Sequence, residues 1–169
     1  MFFFSFTNLS SAENIDLDVI RSVCKTTPEP DFCVSILSAD PNSKGKDFHG
    51  LAELAINLAN EKGKAVVAYV NDLLKKTTER VLKEILGICL SDYDSGVVDG
   101  TAEGLDEFNN SNYKSSLLLI SGSAAAAKNC DATFDQPPTR ENVLKDLNKT
   151  MSQYLLVAAA LVRNYVPAG

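Results

Sequence analysis

The sequence has no tryptophan and a single histidine, His49, among 169 residues. A lone imidazole excludes the histidine-rich cages of catalytic zinc and di-iron bundles, and no Glu-x-x-His motif is present to build the latter. There is no G-x-S-x-G elbow, no phosphate-cradling glycine loop and no G-x-G-x-x-G turn, so the common hydrolase and nucleotide chemistries find no purchase. Basic clusters are missing too. Sixteen Lys and Arg stand against 22 Asp and Glu, a formal charge of −6. That balance argues against nucleic acid, whose phosphates demand grouped cations. It suits solubility, or a basic partner. No run reaches the roughly 18 uninterrupted apolar residues of a membrane span. Aromatics are few, with eight Phe and five Tyr, so Ala, Leu and Val must fill most of the core. Close-packed helices fit that supply best. These absences predict a chain without cofactor or metal and without catalytic residues, not an enzyme.

What is present is an ordinary single-domain composition, 45% apolar and 22% charged. Residues 1–12, MFFFSFTNLSSA, read as a leader to be set aside from the fold. Phe2 to Phe6 form an apolar run, and Ser10-Ser11-Ala12 resembles a small-residue cleavage site. The run is short for a signal core of roughly 7–15 residues, and no Lys or Arg precedes it. The segment is therefore read as a truncated signal peptide or a disordered leader. In a secreted context, the four cysteines Cys24, Cys33, Cys89 and Cys130 predict two disulfides, with three pairings open. Zinc is disfavoured because no C-x-x-C spacing occurs.

Periodicity divides the remainder. Residues 13–43 read as a helical hairpin. A short helix over 16–24 ends at Thr26-Thr27-Pro28-Glu29-Pro30, and a second apolar piece over 32–37 ends at Asp40-Pro41. Residues 44–169 read as four longer helices. The first starts near Asp47 and places Leu51, Leu54, Leu58, Lys62, Ala65, Tyr69 and Leu73 on one stripe, with Ala55, Val66 and Val70 beside it and a weak point for a bend at Gly63. The second covers 78–108, with Gly96, Gly100 and Gly104 on one face for close approach of a neighbour. The third covers 113–129 after the turn Asn109-Asn110-Ser111-Asn112, and the fourth covers 140–165 after an irregular stretch at 131–139. The fold class is all-α: an antiparallel up-down-up-down four-helix bundle with an N-terminal helical hairpin extension. His49, at a helix start, is read as a surface or capping residue.

The most specific motifs lie in the hairpin: Val23-Cys24-Lys25-Thr26-Thr27-Pro28, Pro30-Asp31-Phe32-Cys33 and Leu37-Ser38-Ala39-Asp40-Pro41. Asp47-Phe48-His49-Gly50-Leu51-Ala52 follows, then Cys89 with Tyr93 and Cys130 with Phe134. Together they resemble the plant inhibitors of invertase and of pectin methylesterase, over residues 15–165. The resemblance implies the pairs Cys24–Cys33 and Cys89–Cys130. It also implies a secreted protein of the apoplast or cell wall (or vacuole) that inhibits its target as a monomer, one-to-one, near the active-site cleft. The partner it implies is pectin methylesterase or acid invertase. Invertase-directed members carry Pro-Lys-Phe before the third bundle helix. This chain has Ser111-Asn112-Tyr113-Lys114-Ser115, which favours pectin methylesterase. The third alternative is a structural or storage bundle without inhibitory activity. Faces of the bundle helices supply the candidate contacts: Asp92, Asp94, Asp99 and Glu103 on the second, Tyr113 and Lys114 on the third. N-glycosylation is expected at Asn109, in a turn, or at Asn148, on the polar side of its helix.

Overall fold

A computed structural model describes residues 9–168 of the chain. Of the leader expected over 1–12, residues 1–8 lie outside the described residues, while 9–12 are helical. The order is α1 (Leu9–Cys24), α2 (Pro30–Ala39), a 3-10 turn (Pro41–Ser43), α3 (Phe48–Lys76), α4 (Arg80–Ser91), a π-helical segment (Asp92–Asp99), α5 (Gly100–Asn109), α6 (Tyr113–Thr133) and α7 (Lys145–Arg163). No strand occurs among the described residues, and no helix is long and apolar enough to cross a membrane.

Local chemistry fixes the boundaries. Pro30 opens α2, where its missing N–H costs nothing. Asp40 ends that helix in extended backbone, as the residue before Pro41 must, and accepts the Asn42 N–H at 2.7 Å. Asp47 caps α3 by accepting the Gly50 N–H at 2.8 Å. Glu79 caps α4, taking the N–H groups of Val81 and Leu82. Cys24–Cys33 bonds the arms of the hairpin, and Cys89–Cys130 bonds α4 to the end of α6.

The segments α4, π and α5 form one unbroken rod, with helical backbone at both joints. Its burial explains the π turn. Cys89, Tyr93, Val97 and Thr101 are all fully buried at four-residue intervals. In an α-helix each such step overshoots a full turn by about 40°, so the four would fan across about 120°. A π turn takes in an extra residue and cancels the drift. The rod, α3, α6 and α7 make the bundle. α3 and α6 each touch both the rod and α7, so the rod and α7 stand on a diagonal.

Two helix assignments need correction. On α3 the expected Leu51 and Leu54 are buried, but from there the buried stripe runs through Ala55, Ala59, Gly63, Val66 and Val70; Lys62 is only half-buried, Ala65 is exposed and Tyr69 is 50% exposed. The stripe slips by one position because small residues let the rod approach. A Cβ at Gly63 would meet Val97 Cγ1 at 2.9 Å, so Gly63 marks close packing. The last helix starts at Lys145, later than expected. Residues 140–144 are held by side chains instead: Arg140 pairs with Glu79, and Asn142 accepts the Leu144 N–H while donating to Asp131.

Asn148 is 3% exposed, not on a polar face. Its Oδ1 accepts from Tyr93 Oη at 2.8 Å, and its Nδ2 donates to Asp131 Oδ1 at 3.1 Å, beside the Cys130 sulfur. An amide so enclosed cannot carry a glycan in the folded chain. Burial of Tyr93, with Asp131 and Asp92 nearby, pushes its phenol well above the usual range, so it donates at every relevant pH.

Candidate interaction surface

The rod presents its outer face to solvent because its inner face is fully used. Val97 and Thr101 turn toward α3, where Asn60 Nδ2 donates to Thr101 Oγ1 and to the Val98 carbonyl, both at 2.8 Å. Gly96, Gly100 and Gly104 turn toward α6. Cβ atoms there would collide with Ala126 at Gly96, meet Ser123 Oγ at 2.5 Å at Gly100, and meet Ile120 at 3.0 Å at Gly104. The glycine stripe is therefore the close helix contact its spacing predicts.

What remains outside is acidic. Asp94, Asp99 and Glu103 are exposed, whereas Asp92 is half-buried and accepts from Asn129 of α6 at 2.9 Å. Three of the four predicted acids thus point freely outward, and the fourth is committed to the α4–α6 junction. Asp106 is exposed and Glu107 half-buried on α5, and sequence reasoning passed over both. A signal existed: between Glu84 and Lys114 the chain carries six carboxylates and no Lys, Arg or His. Among the described residues no ion pair neutralises any of these six.

Tyr113 and Lys114 lie beyond the turn, at the start of α6, and differ in character. Lys114 is exposed. Tyr113 is half-buried in an aromatic cluster that joins α3, the rod, α6 and the turn just after α7 at one end. Its ring centroid lies 5.3 Å from Phe108, 5.2 Å from Tyr165 and 6.3 Å from His49. His49 stacks on Phe108 at 4.5 Å, so it is a packing residue of that cluster; the cap is Asp47. Burial, Asp47 and Tyr113 together raise the Tyr165 phenol above its ordinary value, keeping it neutral. The cluster clamps Tyr113, leaving a pre-set aromatic edge beside the acidic rod. Asn109 is exposed at the end of α5, next to the same corner. Among the described residues no group of three or more His, Cys, Asp or Glu could hold a metal ion.

The profile of the family described as Plant invertase/pectin methylesterase inhibitor matches residues 18–161. A pectinesterase inhibitor of Actinidia deliciosa is 26% identical over 120 residues, spanning 71% of this chain and 64% of that protein. The cell wall / vacuolar inhibitor of fructosidase 2 of Arabidopsis thaliana is 35% identical over 91 residues, 53% of this chain and 51% of its own. A crystal structure of a mutant form of a pectin methylesterase inhibitor from Arabidopsis superposes with a TM-score of 0.72. It covers 89% of this chain and 98% of that one at 15% identity, a likeness of fold. With its bundle, hairpin and paired cysteines, the chain belongs to the plant invertase/pectin methylesterase inhibitor family.

Proposed function

We propose that this chain inhibits a plant pectin methylesterase by one-to-one binding beside the enzyme's active-site cleft. The rod's outer face and the start of α6 make the contact. The observation that carries the reading is the uncompensated acidic face bearing Asp94, Asp99 and Glu103, flanked by the clamped Tyr113 and by Lys114. Such a face steers a basic rim into register and accelerates association at low salt. The fixed ring supplies an apolar anchor whose ordering cost is already met within the fold. The inhibitor acts as a secreted monomer in the apoplast, and its glycan, where present, sits on Asn109.

A second reading, inhibition of acid invertase, is favoured by the 35% identity to the fructosidase inhibitor over 91 residues. Titration of the purified chain against a plant pectin methylesterase and an acid invertase, at the acidic pH of the cell wall, separates the two. Inhibition of invertase alone overturns the first reading. Inhibition of neither leaves a non-inhibitory bundle. Peptide mapping of protein from a plant secretory host should find any glycan at Asn109 and none at Asn148.

A further inference from the structure

α3, the start of α7 and the residues just before it enclose an open groove of about 510 Å³, with no residue of the rod or α6 in its lining. It is a different surface from the acidic one, in place and in chemistry. Lys62 of α3 and Lys145 of α7 stand on its opposite walls, and neither forms an ion pair among the described residues. Tyr69, two helical turns after Lys62 on the same face, lines the groove with half its surface exposed, and Ala65 between them is exposed too. Buried Val66 and 43%-exposed Val143 add apolar floor, and Asp146 is the one carboxylate in the lining. In a chain of charge −6, this is a site with excess positive charge and an open aromatic face.

We propose that this groove binds an anionic sugar chain, a run of de-esterified uronic acids. The ammonium groups of Lys62 and Lys145, one from each wall, offer cations to carboxylates, while Tyr69 and the valines offer the flat apolar surface that the C–H face of a sugar ring covers. A phosphate or a sulfate would use the lysines and leave the ring idle. The choice of a uronate rests on the pectin methylesterase reading, since removal of methyl esters from pectin leaves carboxylates on the polymer. Because the groove lining and the acidic residues of the rod share no residue, the inhibitor can hold the product polymer with one and the enzyme with the other. It would then concentrate where demethylation has already occurred.

The test is titration of the full chain, followed by backbone amide NMR shifts, with three probes of matched length: a de-esterified oligogalacturonate, its methyl-esterified form and dextran sulfate. The expected result is saturable binding of the first, with shifts centred on Lys62, Tyr69 and Lys145. Binding should be about tenfold weaker in Tyr69→Ala and in Lys62→Ala/Lys145→Ala, the size of one lost good contact. These are surface positions, and an unchanged melting temperature verifies each fold. Absence of binding, equal binding of the methyl-esterified chain, equal binding of dextran sulfate, or shifts centred elsewhere would each overturn the proposal. Binding of the methylesterase without polymer, read on a biosensor, should be equal in Tyr69→Ala and the unaltered chain. If the unaltered chain fails to bind the enzyme there, the functional reading falls, whatever the sugar titration shows.

Discussion

At the scale of single residues, the glycines divide into two populations that the sequence does not distinguish by type. Gly96 has no room for a methyl group, because the Ala126 Cβ already occupies the place and cannot rotate away. Gly87 and Gly122 sit on exposed helix surface with nothing within 4 Å of a built Cβ. Gly96→Ala should therefore destabilise by about 1–3 kcal/mol as the rod and α6 are forced apart. Gly87→Ala and Gly122→Ala should each stabilise by about 0.4–1 kcal/mol through the unfolded chain. Denaturant melts of the three variants check this, and Ala126→Gly should recover part of the Gly96→Ala loss. If Gly96→Ala melted like the parent, the close approach would be wrong. The four-residue spacing of Gly96, Gly100 and Gly104 made this contact legible. Asn148 was not legible in the same way. Its position falls on the apolar stripe, four after Leu144 and three before Met151, but its side chain reads as polar surface, and the buried Tyr93 hydroxyl across the bundle explains why an amide belongs inside.

Among the elements, the helices were readable from periodicity, while the joints were not. The slip on α3 and the π turn in the rod both come from helix–helix contact, which a 3.6-residue template applied to one segment does not contain. The late start of α7 has a similar origin. Arg140 grips Glu79 with two hydrogen bonds of 3.0 and 3.1 Å, tying the stretch before α7 to the cap of α4. The Arg140 guanidinium, with the capped N–H groups, holds the Glu79 carboxyl down from 4.5 to about 2. A depressed carboxylate stabilises fully above its unfolded value and loses that contribution as pH falls toward its folded value. The melting temperature of the parent should thus exceed that of Glu79→Gln by a constant margin above pH 4.5, and the margin should close between 4.5 and about 2. The margin should be modest and salt-sensitive, since both side chains are open to solvent over a third or more of their surface. A margin that persisted at pH 2 would show the ion pair to be irrelevant.

For the whole molecule, the two disulfides differ in reach. Cys89–Cys130 spans 41 residues and joins α4 to α6; Cys24–Cys33 spans nine and stays within the hairpin. Chain entropy assigns them about 4 and about 2.7 kcal/mol. Replacing Cys89 and Cys130 by Ser should lower the melting temperature by roughly 8–16 °C and loosen the face that carries Asp94 and Asp99. Replacing Cys24 and Cys33 should cost less and leave the rod unchanged. A larger loss from the hairpin pair would reverse this assignment. On the proposed interface, Asp99→Lys/Glu103→Lys should slow association with a basic methylesterase and flatten its salt dependence, with little change in melting temperature. Stopped-flow rates at two ionic strengths decide this, and unaltered rates would remove the rod from the contact. Net charge and family motifs pointed to this surface from sequence alone. They could not place Asp92 against Asn129, nor show that α3 and α7 leave a cationic groove behind, because both depend on which helices become neighbours.

The hairpin is also the meeting point of the two ends of the fold. Glu29 in its turn accepts from Gln153 of α7 at 2.6 Å, and Thr26 accepts from Asn164 at 2.9 Å, across 124 and 138 residues of chain. During synthesis the hairpin therefore leaves the ribosome long before its seat is made. Its nine-residue disulfide needs nothing downstream, and it can close on the emerging chain to keep the two short arms paired through the wait. α7, synthesised after the other helices of the bundle, then docks both against them and against the hairpin made long before it.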